Sequence, residues 1–233
     1  MVLPIKDCAS AVLAANLPVV CIDTCVWLDF FRGRQPAASV RKLLQDFKTL
    51  VGVSFLVVIP EQVQVEYNRN KGTAGNSYER TLRYAAENYN KLLLDFQEVM
   101  GSALPNMTGD FATFVENRYV FPVDKILKSV MVMEPAQVDY AKGAQRACLQ
   151  KAPSAEKGKS IADCVIVESF MSLVDVLRAQ GYKRKAYFVT ANASDFSDPA
   201  NPVIVHPDLQ SDFNRLQIVY ETNMSKFVYQ KSY

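Results

Sequence analysis

Apolar positions along this chain follow two rhythms. Short unbroken apolar runs near residues 18–23, 54–59 and 186–189 have the length and β-branched content of strands buried on both faces. Elsewhere apolar residues recur every three or four positions, the spacing of a helix with one buried face. That spacing predicts a helix through Cys25–Phe31 and, beyond Gly33, a second one opened by Pro36 and carrying Val40, Leu43, Leu44 and Phe47. Pro60, suited to a helix N-terminus, leads from the 54–59 run into Glu61–Tyr67.

Between Lys71 and Ala152 strong strand signals are lacking and helical periodicity takes over. It is carried by Leu82, Ala85, Ala86, Tyr89, Leu92 and Leu93, then Phe111, Phe114 and Val115, then Ile126–Met133, then Pro135–Leu149. Gly72–Gly75 and Gly101–Gly109 are the expected turns. Past Gly158 a helix is predicted from Ser160 to Gln180, ending at Gly181, then the strand 186–189 and a short strand Val203–Val205. A turn or helix from Pro207, a strand Leu216–Tyr220 and a C-terminal helix from about Thr222 complete the pattern.

Strands alternating with helices imply an α/β fold with an open, mainly parallel sheet, whose right-handed crossovers bring successive strand carboxyl ends to one edge. We expect a single domain over residues 1–233 with a helical insertion at 71–152.

Composition narrows the function. The 26 basic and 24 acidic residues give a formal net charge of +2, so no global positive field announces nucleic acid, and a phosphate partner would need a local patch. Arg32 and Arg34, Arg69 and Lys71, and the run Lys151, Lys157, Lys159 are the candidates; solvated surface charge is the alternative for each. Five cysteines without zinc-type pairs point to a reducing cytoplasm. No signal peptide is read in the N-terminal stretch, and no run reaches the ~20 apolar residues that cross a bilayer.

The chemistry concentrates at strand ends. Val19–Ile22 runs into Asp23–Thr24, an acid where an open α/β sheet keeps its crevice. Helix capping is the competing role for that pair. Glu66 lies about two turns into the helix after Pro60. Asp163 opens the helix after Ser160, where answering the helix dipole is the competing role. Asp195 follows the strand 186–189 through Thr190-Ala191-Asn192-Ala193-Ser194, and Phe196 could anchor that loop while the acid faces the crevice. Acids gathered by strand ends repel one another unless a cation sits among them, and an oxygen-only set suits Mg2+ or Mn2+. With His206 as the single histidine, a two-histidine ribonuclease mechanism is excluded, and neither a Gly-x-Ser-x-Gly turn nor a phosphate-cradling glycine loop is present. A haloacid-dehalogenase-type phosphatase would want Asp-x-Asp, but Cys25 stands two beyond Asp23.

Val20-Cys21-Ile22-Asp23-Thr24, Pro60–Tyr67, Ser160–Ile166 and Thr190–Phe196 together resemble the four segments of the PIN family of metal-dependent ribonucleases. The resemblance covers roughly residues 18–70 and 158–220 and implies a three-layer α/β/α fold. It also implies catalytic and metal-binding roles for Asp23, Glu66, Asp163 and Asp195, a Mg2+ or Mn2+ cofactor, and hydrolysis of RNA phosphodiesters. Thr24, Arg146, Lys157, Lys159, Ser160, Thr190 and Asn192 are the expected substrate contacts. Many relatives have an Asp where this chain has Asn192, and the long helical middle departs from compact toxin-type members. By the same resemblance we expect a cytoplasmic endoribonuclease acting on single-stranded or structured RNA, of a toxin or phage-defence kind. An inhibitor or activator protein, a homodimer, and no membrane association complete the expectation. A non-cleaving RNA- or protein-binding scaffold is the first alternative, a phosphatase-like hydrolase the second, and DNA is not separated from RNA by any visible residue.

Overall fold

The computed structural model describes residues 2–31, 37–101, 105–155 and 161–231. Six strands make one sheet, all neighbours parallel: β1 (Val2–Leu3), β2 (Val19–Ile22), β3 (Leu56–Pro60), β4 (Met131–Met133), β5 (Ala186–Val189) and β8 (Ile218–Glu221), in the spatial order β1-β4-β3-β2-β5-β8. Short strands β6 (Ser197–Asp198) and β7 (Asn201–Val205) form a separate antiparallel pair. From β2 the chain moves outward through β3 and β4 on one side, then returns to β5 and β8 on the other. The order therefore reverses around β2, and the crevice past its carboxyl end is where an open sheet of this kind presents its site.

β2 and β5 are fully buried, as unbroken Val/Ile/Phe runs between helix layers must be. Helices α1 (Ile5–Ala15), α2 (Thr24–Asp29), α3 (Ala37–Leu50), α4 (Glu61–Met100), α7 (Gln137–Cys148), α8 (Ile161–Ala179), α10 (Pro207–Leu216) and α11 (Met224–Lys231) supply the layers, and the short α9 (Ala193–Phe196) follows β5. Trp27 packs edge-on against Phe47 (5.8 Å between centroids), while Phe55 and Tyr187 each pack against Phe227 (5.0 and 5.2 Å). Phe188 meets Phe170, Phe196 and Phe213, so the strand before the fourth acidic segment is locked from several helices. α7 and α8 lie unusually close: a Cβ on Gly143 would stand 2.9 Å from Val165 Cγ2 and 3.0 Å from the Val165 backbone nitrogen.

Several expectations are corrected. α4 runs unbroken through Gly72–Gly75, where a turn was expected; isolated glycines cost a helix about 1 kcal/mol each, and Val115 and Val120 pack over Gly75. Ile126–Met133 is not helical throughout: α6 (Phe121–Leu127) ends and β4 pairs with both β3 and β1. Three apolar residues cannot be told from a helical turn by periodicity, and the parallel pairing alone decides. α1 precedes β2 within a stretch read only as apolar. Between α4 and α6 the chain forms α5 (Phe111–Val115) and a π-helical turn, Glu116–Val120. Gly33, Arg32, Arg34 and Pro36 lie outside the described residues.

Candidate active site

The side chains of the crevice are delivered by three strand ends, those of β2, β3 and β5. Asp23 follows β2 and is almost fully buried, at 1% exposure. Its Oδ1 accepts from the Thr24 N–H at 2.6 Å, so capping and siting in the crevice, posed as alternatives, coexist. Its Oδ2 accepts from the Thr190 hydroxyl at 2.7 Å and the Cys25 thiol at 2.9 Å. Thr190 follows β5, the strand paired in register with β2, so the parallel ladder that joins Ile22 to Val189 also aligns the two polar residues beyond it. The Cys25 sulfur in turn accepts from the Ala191 N–H at 3.1 Å and lies 3.3 Å from the Thr190 hydroxyl oxygen. Cys25 was read only as the residue that fails to be a second carboxylate. Here it ties the first acid to the loop after β5.

Glu66 comes from the second turn of α4, whose N-terminus Pro60 fixes directly at the end of β3. The Thr24 hydroxyl donates to Glu66 Oε2 at 2.9 Å, joining the first and second acidic segments. Beyond β5, the Asn192 amide donates to Asp195 Oδ2 at 2.7 Å, and its backbone N–H donates to the Thr190 hydroxyl at 3.0 Å. The Ser194 hydroxyl donates to Asn192 Oδ1 at 2.8 Å. Asn192 thus orients the acid three residues on. Phe196 is fully buried against Phe188, 5.2 Å between centroids, and holds the loop down.

Electrostatics couples these carboxylates. Burial raises the proton affinity of Asp23 and the Asp195 charge raises it further, while the hydrogen bonds from Cys25, Thr190 and Thr24 oppose the rise. Burial, then the Asp23 charge, does the same to Glu66, with Thr24, Gln62 and Arg69 opposing. Arg69 is exposed one turn beyond Glu66 on α4. Burial beside Asp23 pushes the Cys25 thiol well above the usual range, so it acts as a neutral hydrogen-bonding group and not as a thiolate.

Asp163 is half-buried in the first turn of α8, the helix that packs against both β3 and α4. Lys157, Lys159 and Ser160 lie outside the described residues. Arg146 is buried in a cross-brace: its guanidinium pairs with Glu168 at 2.6 Å and donates to the carbonyls of Ala152 and Asp208. Lys71 grips both oxygens of Asp124 at 3.0 and 2.9 Å, so it is no free phosphate contact. His206 caps α10 by accepting from the Asp208 N–H at 3.2 Å. Tyr119 is core, meeting Tyr78 and Phe114 edge-on at 5.4 and 6.1 Å. Among the described residues, no three His, Cys, Asp or Glu side chains converge closely enough to cage a metal.

A parallel six-stranded sheet between helix layers, with acids collected at its switch point, defines a three-layer α/β/α domain with an acidic crevice. A family model described as PIN domain matches residues 20–196, from the first acidic segment through the fourth, and the chain belongs to the PIN-domain family. PIN domains are generally nucleases and typically use divalent metals, and PIN-domain nucleases generally bind RNA. No curated protein and no solved structure matches the chain. Among the described residues no helix is long and apolar enough to cross a membrane.

Proposed function

We propose that this chain is a metal-dependent endoribonuclease, with Asp23, Glu66, Asp163 and Asp195 as its acidic cluster. The observation that carries this reading is the gathering of Asp23, Glu66 and Asp195 from three strand ends: the Asp195 charge adds to burial in raising the proton affinity of Asp23, and the Asp23 charge adds to burial in raising that of Glu66. A stable fold rarely tolerates such repulsion without use for it, and the oxygen-only donor set fits a hard divalent cation. Mg2+ or Mn2+ held there would supply an activated water and stabilise charge on the leaving oxygen.

The chain's own residues have definable tasks. Thr190 and Cys25 hold Asp23 Oδ2, Thr24 holds Glu66, and Asn192 holds Asp195, so three acids are oriented by neutral donors that add no competing charge. A water adding to phosphorus must lose a proton as the bond to the leaving ribose oxygen breaks, and the carboxylates of raised proton affinity are the groups suited to take it. Lys157, Lys159 and Ser160, which precede Asp163 in the chain, remain our proposed substrate contacts, with Thr24, Thr190 and Asn192 at the crevice wall. Residues 71–152 are proposed as an elaboration within one domain. The reduced, unpaired cysteines support a cytoplasmic setting, with a toxin or phage-defence role, restrained or activated by a partner protein, as the outer frame of the proposal.

A non-cleaving scaffold is the second reading, favoured by two observations: Asp23 already accepts three hydrogen bonds, and among the described residues no three-carboxylate cage is closed. Cleavage of an RNA and single-stranded DNA panel with Mn2+, Mg2+ or EDTA separates the two. Metal-dependent RNA cutting lost in Asp23→Asn supports the nuclease, whereas RNA binding without cutting in any metal sinks it.

A further inference from the structure

The distal half of α4 carries a feature that the crevice does not use. From Leu82 onward, apolar residues recur at alternating steps of three and four: Leu82, Ala85, Tyr89, Leu92, Phe96 and Val99. This is the two-position seam of a heptad repeat, sustained for nearly three repeats. The adjoining positions Ala86 and Leu93 are buried. On that flank Asn90 exchanges hydrogen bonds with the Met107 backbone, at 2.9 and 2.7 Å. Beyond Leu82, which is partly buried against the core, the seam faces outward: Tyr89, Leu92, Phe96 and Val99 are 42, 68, 48 and 82% exposed. An aligned apolar stripe on a projecting helix is not the scattered exposure that any soluble surface shows.

We propose that this stripe is a self-association surface, and that two copies of the chain pair their α4 helices antiparallel about a two-fold axis near residues 90 and 91. Three features on the helix select a second copy. First, the stripe is self-complementary in size. Under this pairing Tyr89 meets the partner's Leu92, Leu82 meets the partner's Val99, and the small Ala85 meets the large Phe96 of the partner subunit. A parallel pairing would set Ala85 on the partner's Ala85 and Phe96 on the partner's Phe96, leaving alternate gaps and bulges. Second, the polar edge is compatible with itself: Asn88 faces the partner's Asp95, an amide donor against a carboxylate, so no like charges meet there. Third, the exposed seam is short, four large side chains per copy, which suits a weak pairing of two copies below the standard interface size of roughly 1,200–2,000 Å2. A dimer of modest affinity is therefore expected, with the antiparallel helices opposing their dipoles.

The geometry deepens the nuclease proposal without depending on it. Glu66 and the two-fold axis are separated by about 24 residues of one continuous helix, so the paired crevices would stand roughly 70 Å apart at opposite ends of a helical spar. Two sites held that far apart suit an extended or folded RNA engaged at two places.

The test uses the full chain. Sedimentation equilibrium over a wide concentration range should show a reversible monomer–dimer equilibrium in the micromolar range for wild type. Leu92→Glu combined with Val99→Glu, both at exposed positions, should shift dissociation to at least tenfold higher concentration while leaving the circular-dichroism spectrum and single-site RNA cleavage unchanged. The register is tested by sign: Asn88→Lys, facing the partner's Asp95, should tighten the dimer several-fold and Asn88→Asp should weaken it. A wild type that stays monomeric to about 100 µM, the regime of encounters too weak to be specific, overturns the proposal and assigns the stripe to a different protein. A dimer indifferent to the glutamate pair, or an inverted response to the Asn88 variants, overturns it as well. Loss of cleavage with dimerisation intact would count against the nuclease reading alone.

Discussion

Thr24 donates its hydroxyl to Glu66 across 2.9 Å, joining side chains 42 positions apart in the chain. The same residue gives its backbone N–H to Asp23, so one threonine orders two acids of neighbouring strand ends. Thr24→Val keeps the shape but removes the hydroxyl. Glu66 then loses the largest of the influences that lower its proton affinity, so its raised pKa climbs further. The acid limb of the cleavage profile should move to higher pH, and stability should fall by about 1–2 kcal/mol, the usual cost of a buried group left short of a partner. Thr24→Ser should restore both. A Thr24→Val profile that superimposes on wild type would show that this bond does not tune Glu66.

Raised carboxyl proton affinities have a consequence for stability. Asp23 and Glu66 start from ordinary values of 3.8 and 4.5 and are pushed upward on folding, chiefly by burial. An acid whose folded pKa exceeds its unfolded one binds more protons when folded, so folding is favoured as pH falls through the folded pKa. Above that pKa both groups must stay charged in a poor dielectric, and this part of the stability is lost. We expect the metal-free protein to gain stability from neutrality down to the ordinary carboxylate range, relative to Asp23→Asn measured in parallel. Melting curves in EDTA across that window check this; a wild-type-minus-variant difference that is flat with pH would refute it.

The same argument predicts a trade between function and stability at Asp23. Asp23→Asn removes the buried charge and its repulsion with Asp195. At neutral pH without metal the variant should melt about 2–4 °C higher than wild type, the scale of roughly 1 kcal/mol in a domain of this size. Mn2+ should raise the melting temperature of wild type and leave the variant unmoved. A wild type insensitive to Mn2+ by calorimetry and thermal shift would remove the cation from the proposal.

Arg146 offers a contrast between two roles. Its pairing with Glu168 is nearly closed to solvent, both side chains being 9 and 8% exposed. Breaking such a pair from one side strands a buried charge and costs about 3–5 kcal/mol, whereas replacing both members with apolar residues can be nearly neutral. Arg146→Met alone should unfold at much lower urea, and Arg146→Met with Glu168→Leu should recover most of the loss with the KM for RNA unchanged. A double variant that folds well but binds RNA at least tenfold more weakly would return Arg146 to the substrate contacts.

What the sequence made legible follows from what pattern can carry. Buried parallel strands announce themselves as unbroken apolar runs, which is why 186–189 and the approach to Asp23 were readable at their observed places. β4 was not, because Met131–Met133 gains its identity only from ladders to β3 and β1. The helix through Gly72–Gly75 was hidden by local propensity, which tertiary packing of Val115 and Val120 overrides. Within the crevice, acids at strand ends were visible as residue types, whereas the roles of Cys25 and Asn192 were not. A thiol that bonds one acid and an amide that aims another are relations between segments, and single positions do not display them. The lysine grip on Asp124 and the brace at Arg146 escaped notice for the same reason: a cation looks available until its long-range anion is in view.

Gly143 bears on the third acid, Asp163, through its contact with α8. With no room for even a methyl group between it and Val165, the two helices touch backbone to backbone, two residues from Asp163. A methyl at that point would act as a wedge, levering the N-terminal turn of α8 outward and withdrawing its carboxylate from reach. The position of one acid is thereby set by a residue whose contribution is the space it leaves empty.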